Sequence, residues 1–200
     1  MSILYFVDTE TTGLDPNKHT ILEFCCVKMI DRVEVDRLVL KIIPTQQDLL
    51  IAAPEALKIN QFNLQIWKDE GIDQKTAAIK IASFLVGSKQ SAMIAHNARF
   101  DIAHLKSLMK KTKTDHRLPY RCIDTIAASF ARFEPLGLRS FKMDSIRSFL
   151  GWSDHGVHTA EKDVEDLIRL WDILSPKPIE ETLICVKELI VTKRIKSCIQ

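Results

Sequence analysis

The sequence predicts an α/β fold, a mixed sheet flanked by helices, and three observations carry that prediction. Apolar, β-branched runs crowd the first 43 residues, at 3–8, 21–30 and 35–43. Shorter apolar runs at 92–95 and 120–123 then alternate with segments whose apolar residues recur at helical spacing. The three early runs are joined by short connections, which makes them antiparallel neighbours, whereas later strands separated by helices suit parallel addition.

The elements follow in order. Ile3–Asp8 is an apolar run ending in an acid, as expected of a strand buried on both faces. Thr11–Pro16 (T-T-G-L-D-P) is a turn, and the charged break Asp31–Arg32 separates the second strand from the third. Residues 54–70 suggest irregular helical turns. Ala78, Ile81, Ala82 and Leu85 form one apolar face of a helix over 74–86, with Gly87 placed to close it. A helix from about Phe100 carries Ile102, Leu105, Leu108 and Met109 on one face. Asp124–Thr125 reads as the cap of a helix reaching Phe133, and Met143–Leu150 as a further short helix stopped by Gly151. Val164, Leu167, Ile168, Trp171 and Leu174 define a long helix ended by Pro176. A last amphipathic segment spans 179–197. One domain over 1–175 with a helical extension over 176–200, packed on or adjoining it, is the expected organisation.

Two hundred residues suffice for one substantial core. With 46% hydrophobic and 27% charged residues and mean hydropathy near zero, the chain is not of the disordered class. A net charge of +2 neither demands nor excludes a polyanionic substrate. The five cysteines (25, 26, 122, 185 and 198) are odd in number and lack C-x-x-C spacing, which argues against a disulfide framework or a zinc site and fits a reducing compartment. No signal peptide and no apolar run of about 20 residues is present, so a cytoplasmic location and no membrane partner are expected.

Three polar clusters carry the chemistry: F-V-D-T-E-T-T-G-L at 6–14, A-H-N-A-R-F-D at 95–101 and H-T-A-E-K-D at 158–163. Asp8 and Glu10 are two apart on a strand, so both carboxylates project from one face, and paired hard oxygen donors suit Mg²⁺ or Mn²⁺. Alone, the pattern equally describes an acidic strand end. Asp101 in a first helical turn is also what the helix dipole favours. Asp163 lies beside an apolar stripe, from where it can reach a cleft. His158 and His155 both precede that helix, and either imidazole can take a proton near neutral pH.

Together the clusters resemble the DnaQ-like 3′→5′ exonucleases, the histidine branch of the DEDD nucleases, over about residues 3–174. The D-T-E-T-T-G-L run is the most specific part, and the H-x-A-x-x-D pattern selects His158 over His155. The resemblance implies an RNase H-like five-stranded sheet, an antiparallel meander plus parallel strands. It implies that Asp8, Glu10, Asp101 and Asp163 bind two Mg²⁺ or Mn²⁺ ions, with His158 as general base. It further implies that Thr11, Thr12 and Leu14 meet the terminal nucleotide and that Asn97 touches sugar or phosphate. The implied substrates are single-stranded DNA or RNA 3′ ends, DNA preferred, cut to nucleoside 5′-monophosphates. A polymerase or repair partner is a further implication, with a non-catalytic relative as the contrasting case. The chain departs from the resemblance at Lys58-Ile59-Asn60-Gln61, where many relatives carry an I-H-G-like turn.

Overall fold

A computed structural model describes residues 2–152 and 159–175. Five strands form one sheet in the order β3-β2-β1-β4-β5. They are β1 (Ile3–Thr11), β2 (Ile21–Ile30), β3 (Val33–Lys41), β4 (Ser91–Ala95) and β5 (Arg121–Asp124). β1, β2 and β3 form the expected antiparallel meander. β4 and β5 add in parallel beside β1, each after a helical crossover. The eight α-helices of the described residues are α1 (Gln46–Leu50), α2 (Pro54–Ile59), α3 (Leu64–Glu70), α4 (Gln74–Phe84), α5 (Ala98–Thr112), α6 (Thr125–Phe133), α7 (Met143–Phe149) and α8 (Ala160–Leu174).

Period-2 alternation along β1 divides the core in two. Tyr5 and Val7 face a layer built from α4 and α5, with Ile81, Leu105 and Leu108. Phe6 faces α8, against Val164 and Leu167. A third cluster of Phe133, Leu138, Ile146 and Leu170 ties α6 and α7 to α8. Trp67 is buried and donates its indole N–H to Leu22 O at 3.0 Å, while Trp152 stacks under Arg169 and Trp171 packs edge-on against Phe6. All three tryptophans therefore serve packing. Among the described residues, no helix is long and apolar enough to cross a membrane.

Some boundaries differ from the sequence expectations. β1 runs on through Thr11, because Asp8 to Glu10 keep pairing with β2 as far as a register shift at Glu10/Thr11. β3 begins two residues earlier than expected. The short helix α1 interrupts what the sequence left without an element; Thr45 and Asp48 close it with a reciprocal capping box. Gly87 does not close α4, which ends at Phe84 with Leu85 as its cap. Its small size serves another contact: a Cβ there would lie 2.7 Å from Arg117 O. The segment 176–200 and its expected helix lie outside the described residues.

Candidate nuclease centre

The site forms where the C-terminal end of β1 meets α8. Asp8 and Glu10 share the face of β1 that packs on this helix, so alternation alone brings their carboxylates together. Glu10 lies directly across from Glu23 on β2. Glu23 accepts a 3.3 Å hydrogen bond from Ala160 N, the first residue of α8, where the helix dipole favours an acid. Thr159 completes that terminus by accepting from Lys162 N at 3.2 Å. Fixing the start of α8 there carries Asp163, one turn in, to the strand end. Ligand oxygens of Asp8, Glu10 and Asp163 lie within 4.8 Å of one another.

Asp101 approaches from the other side of β1. It interrupts the buried stripe of α5 formed by Ala98, Leu105, Leu108 and Met109, and is only 2% exposed. The Thr9 hydroxyl donates to its Oδ1 at 2.8 Å. Asp101 is thus outside the three-carboxylate group but is the strongest neighbouring charge on Asp8.

Crowding shifts these groups strongly. Burial, then repulsion from Asp101, Glu10 and Asp163, holds the Asp8 pKa well above the ordinary carboxylate range, and Arg147 opposes that rise. Burial, then Asp163 and Glu23, pushes Glu10 up to about 7. Burial pushes Asp101 to about 7 as well, against the Thr9 hydrogen bond. Clustered, desolvated carboxylates of this kind need a counter-charge before all can ionise. An all-oxygen donor set at this spacing fits a hard divalent cation such as Mg²⁺ or Mn²⁺.

A cleft of about 170 Å³ beside Asp8 and Asp163 is also lined by His96, Met143 and Arg147. His96 Nε2 lies 2.9 Å from Phe141 O and its Nδ1 2.9 Å from the Thr125 hydroxyl. Both ring nitrogens are engaged, and burial keeps its pKa below that of free imidazole, so His96 is poorly suited to take a proton from water. His158 and His155 lie outside the described residues.

A second cavity, of about 390 Å³, adjoins Glu10 and is walled by Thr11, Leu14, Ala56, Ile59, Asn60 and Phe100. Leu14 is 83% exposed at its rim. Thr12 is placed differently. Fully buried, its hydroxyl accepts from Thr20 N at 3.0 Å and its own N–H donates to Thr20 O at 2.9 Å, so it braces the turn rather than walling the cavity. Asn60 Nδ2 donates to Thr11 O at 2.9 Å and locks the cap of α2 onto the end of β1. Asn97 is exposed in a left-handed conformation (φ 67°) between β4 and α5, and its N–H and that of Ala98 donate to Asp124. Asp124 also accepts from Ile126 N, the capping role its sequence position suggests. Thr9, Glu23, Asn60 and Arg147 join the site without having been singled out for it from the sequence.

The RNase_T family model, described as Exonuclease, matches residues 5–171. DNA polymerase III subunit epsilon of Treponema pallidum is 28% identical over 183 residues, spanning 90% of this chain and 79% of that protein. The epsilon subunit of Rickettsia prowazekii is 31% identical over 175 residues, spanning 84% of this chain and 72% of that one. Among solved structures, an E. coli exonuclease I–single-stranded DNA complex superposes with a TM-score of 0.73 at 21% identity. That match takes in 88% of this chain but 42% of exonuclease I, and shows a common fold.

Proposed function

This chain belongs to the DnaQ-like exonuclease family, and on that premise we propose that it removes nucleoside 5′-monophosphates from the 3′ ends of single-stranded nucleic acid, DNA in preference to RNA. The convergence of Asp8, Glu10 and Asp163 within 4.8 Å carries the proposal. With Asp101, these residues would hold two Mg²⁺ or Mn²⁺ ions. When bound, such ions polarise the scissile phosphate, favour ionised water and stabilise a departing 3′-oxygen.

The remaining roles fall to the chain itself. His158 is the proposed base, its neutral imidazole taking the proton of the attacking water. The cavity between Leu14 and Ile59 receives the terminal nucleoside, with Leu14 against one face of the base and Thr11 beside the sugar. Thr12 acts by bracing that turn. Exposed Asn97 faces the approaching backbone as a sugar or phosphate contact.

The test is a digest of 5′-labelled single-stranded DNA and RNA of one sequence, in Mg²⁺, Mn²⁺ or EDTA, with Asp8→Ala as control. A metal-dependent ladder shortening from the 3′ end, faster on DNA and absent in the variant, is expected. No ladder in any metal, or an unchanged ladder in Asp8→Ala, overturns the assignment. The polymerase III epsilon relatives favour a second reading, a proofreading subunit that is weakly active alone and bound to a polymerase through 176–200. Deletion of 176–200 that leaves polymerase association intact would remove it.

A further inference from the structure

The carboxylate cluster contains a cation of its own. Arg147 projects from α7 and is 7% exposed. Its Nη2 donates to Asp163 Oδ1, and its Nε donates to Asp166 Oδ2 at 2.8 Å. Asp163 and Asp166 are three residues apart on α8, so one planar guanidinium spans both. Nη1 reaches Asp144 at 2.9 Å on the solvent side. The same side chain lines the cleft beside Asp8.

Joining α7 to α8 requires no more than the Asp166 contact, and the Ile146–Leu170 cluster already packs these helices together. Arg147 instead spends Nη2 on the carboxylate that completes the Asp8–Glu10–Asp163 group. Its charge offsets the repulsion among those acids when no other cation is present.

We propose that Arg147 is the resident counter-cation of this cluster, competing with divalent metal for Asp163 and so setting the metal concentration at which the site fills. The inference rests on the metal-site assignment above. A fixed guanidinium disfavours a dication nearby. Even screened as strongly as in bulk water, a unit charge and a dication ~5 Å apart repel by an amount worth about tenfold in a binding constant. The opposing effect is orientation: a group that only steadies a ligand carboxylate strengthens metal binding, and losing it costs ~10–100-fold. The two roles therefore predict opposite signs.

The experiment titrates Mn²⁺ into the chelator-stripped full chain by calorimetry, for wild type, Arg147→Met, Arg147→Lys, Asp166→Asn and Asp8→Asn, with melting temperatures read alongside. Arg147→Met should bind Mn²⁺ about tenfold tighter and melt lower without metal. Arg147→Lys keeps the charge and should stay within about threefold of wild type. Asp166→Asn leaves the guanidinium to Asp163 and the solvent-side Asp144, and should weaken binding several-fold. Unchanged or weaker binding in Arg147→Met overturns the proposal. If that variant folds only with metal, Asp166→Asn decides, and unchanged or tighter binding there overturns it. Wild-type binding that is lost in Asp8→Asn, without these shifts, sinks the Arg147 proposal alone. No Mn²⁺ binding by the wild type removes the metal site and this inference together.

Discussion

Thr9 on β1 and Asp101 on α5 are joined by a 2.8 Å hydrogen bond, hydroxyl to carboxylate. Thr9 sits between Asp8 and Glu10 and points to the opposite face of the strand. One three-residue stretch thus serves both layers of the fold. Its acids meet α8, and its hydroxyl sets the acid that α5 brings to the same strand end.

Thr9→Val keeps the shape and removes the donor. Asp101, already near pKa 7, loses the bond that favours its ionised form, so its pKa rises further. Because protons compete with metal for carboxylates, Mn²⁺ binding at pH 6.5 should weaken several-fold relative to wild type, with agreement within about twofold at pH 8.5. Calorimetry at the two pH values checks this. A loss of equal size at both would mean that Thr9 shapes the site without tuning Asp101.

The raised carboxylates also make a prediction about stability. Glu10 and Asp101 rise from ordinary values of 4.5 and 3.8 to about 7. Below about pH 3 both are protonated whether the chain is folded or not. From about pH 3 to 5 the unfolded chain loses these protons, while the native protein keeps them until about pH 7. Native protein therefore binds more protons, and its stability falls as pH rises, levelling off above 7. In EDTA, melting temperature should decline by on the order of several °C from pH 5 to pH 8, and Mn²⁺ should remove most of the decline. Glu10→Gln should flatten the EDTA curve. A Glu10→Gln curve parallel to wild type would count against the cluster as its source.

The base is a separate question from the ligands. His158→Ala should lower the cleavage rate ~10²–10⁴-fold while leaving Mn²⁺ affinity unchanged, the signature of a group that moves a proton and holds no metal. His155→Ala should stay close to wild type. Rate and calorimetry measured on both variants decide the assignment, and the reverse pattern would transfer the role to His155.

Much of this arrangement is legible in the chain, and the parts that are not have identifiable causes. The pairing of Asp8 with Glu10 needs only the two-residue period of a strand. Asp101 betrays itself by standing in the apolar stripe of α5, where a solvent-facing acid would not sit. The fold class follows from the order of strands and stripes. Arg147 is different: on a seven-residue helix it reads as a surface charge, and its burial depends on α7 and α8 lying side by side. Asn60 is equally mute, because its partner is a backbone carbonyl 49 residues away. Gly87 misled because glycine suits both helix ends and close backbone approach, and proximity to Arg117 decides between them.

Asn60 supports the last prediction. Its side-chain amide ties the C-terminal cap of α2 to Thr11 O, so the two walls of the 390 Å³ cavity, β1 with its turn and α2, are fastened here as well as at the other end of α2, where Ala53 N–H donates to Thr12 O at 2.8 Å. Asn60→Ala leaves a buried carbonyl without that partner, at a cost of about 1–3 kcal/mol in stability. It also frees Ile59 to shift relative to Leu14. The carboxylates on the α8 side are untouched, so chemistry on bound substrate should persist. KM for a single-stranded 3′ end should rise about tenfold while kcat stays within about threefold, the pattern of lost uniform binding. Asn60→Asp should be no better, since it cannot donate and adds a charge facing the phosphates. Steady-state kinetics on a short labelled oligonucleotide distinguish the cases: a fall in kcat at unchanged KM would place Asn60 with the reacting groups rather than with the nucleoside cavity.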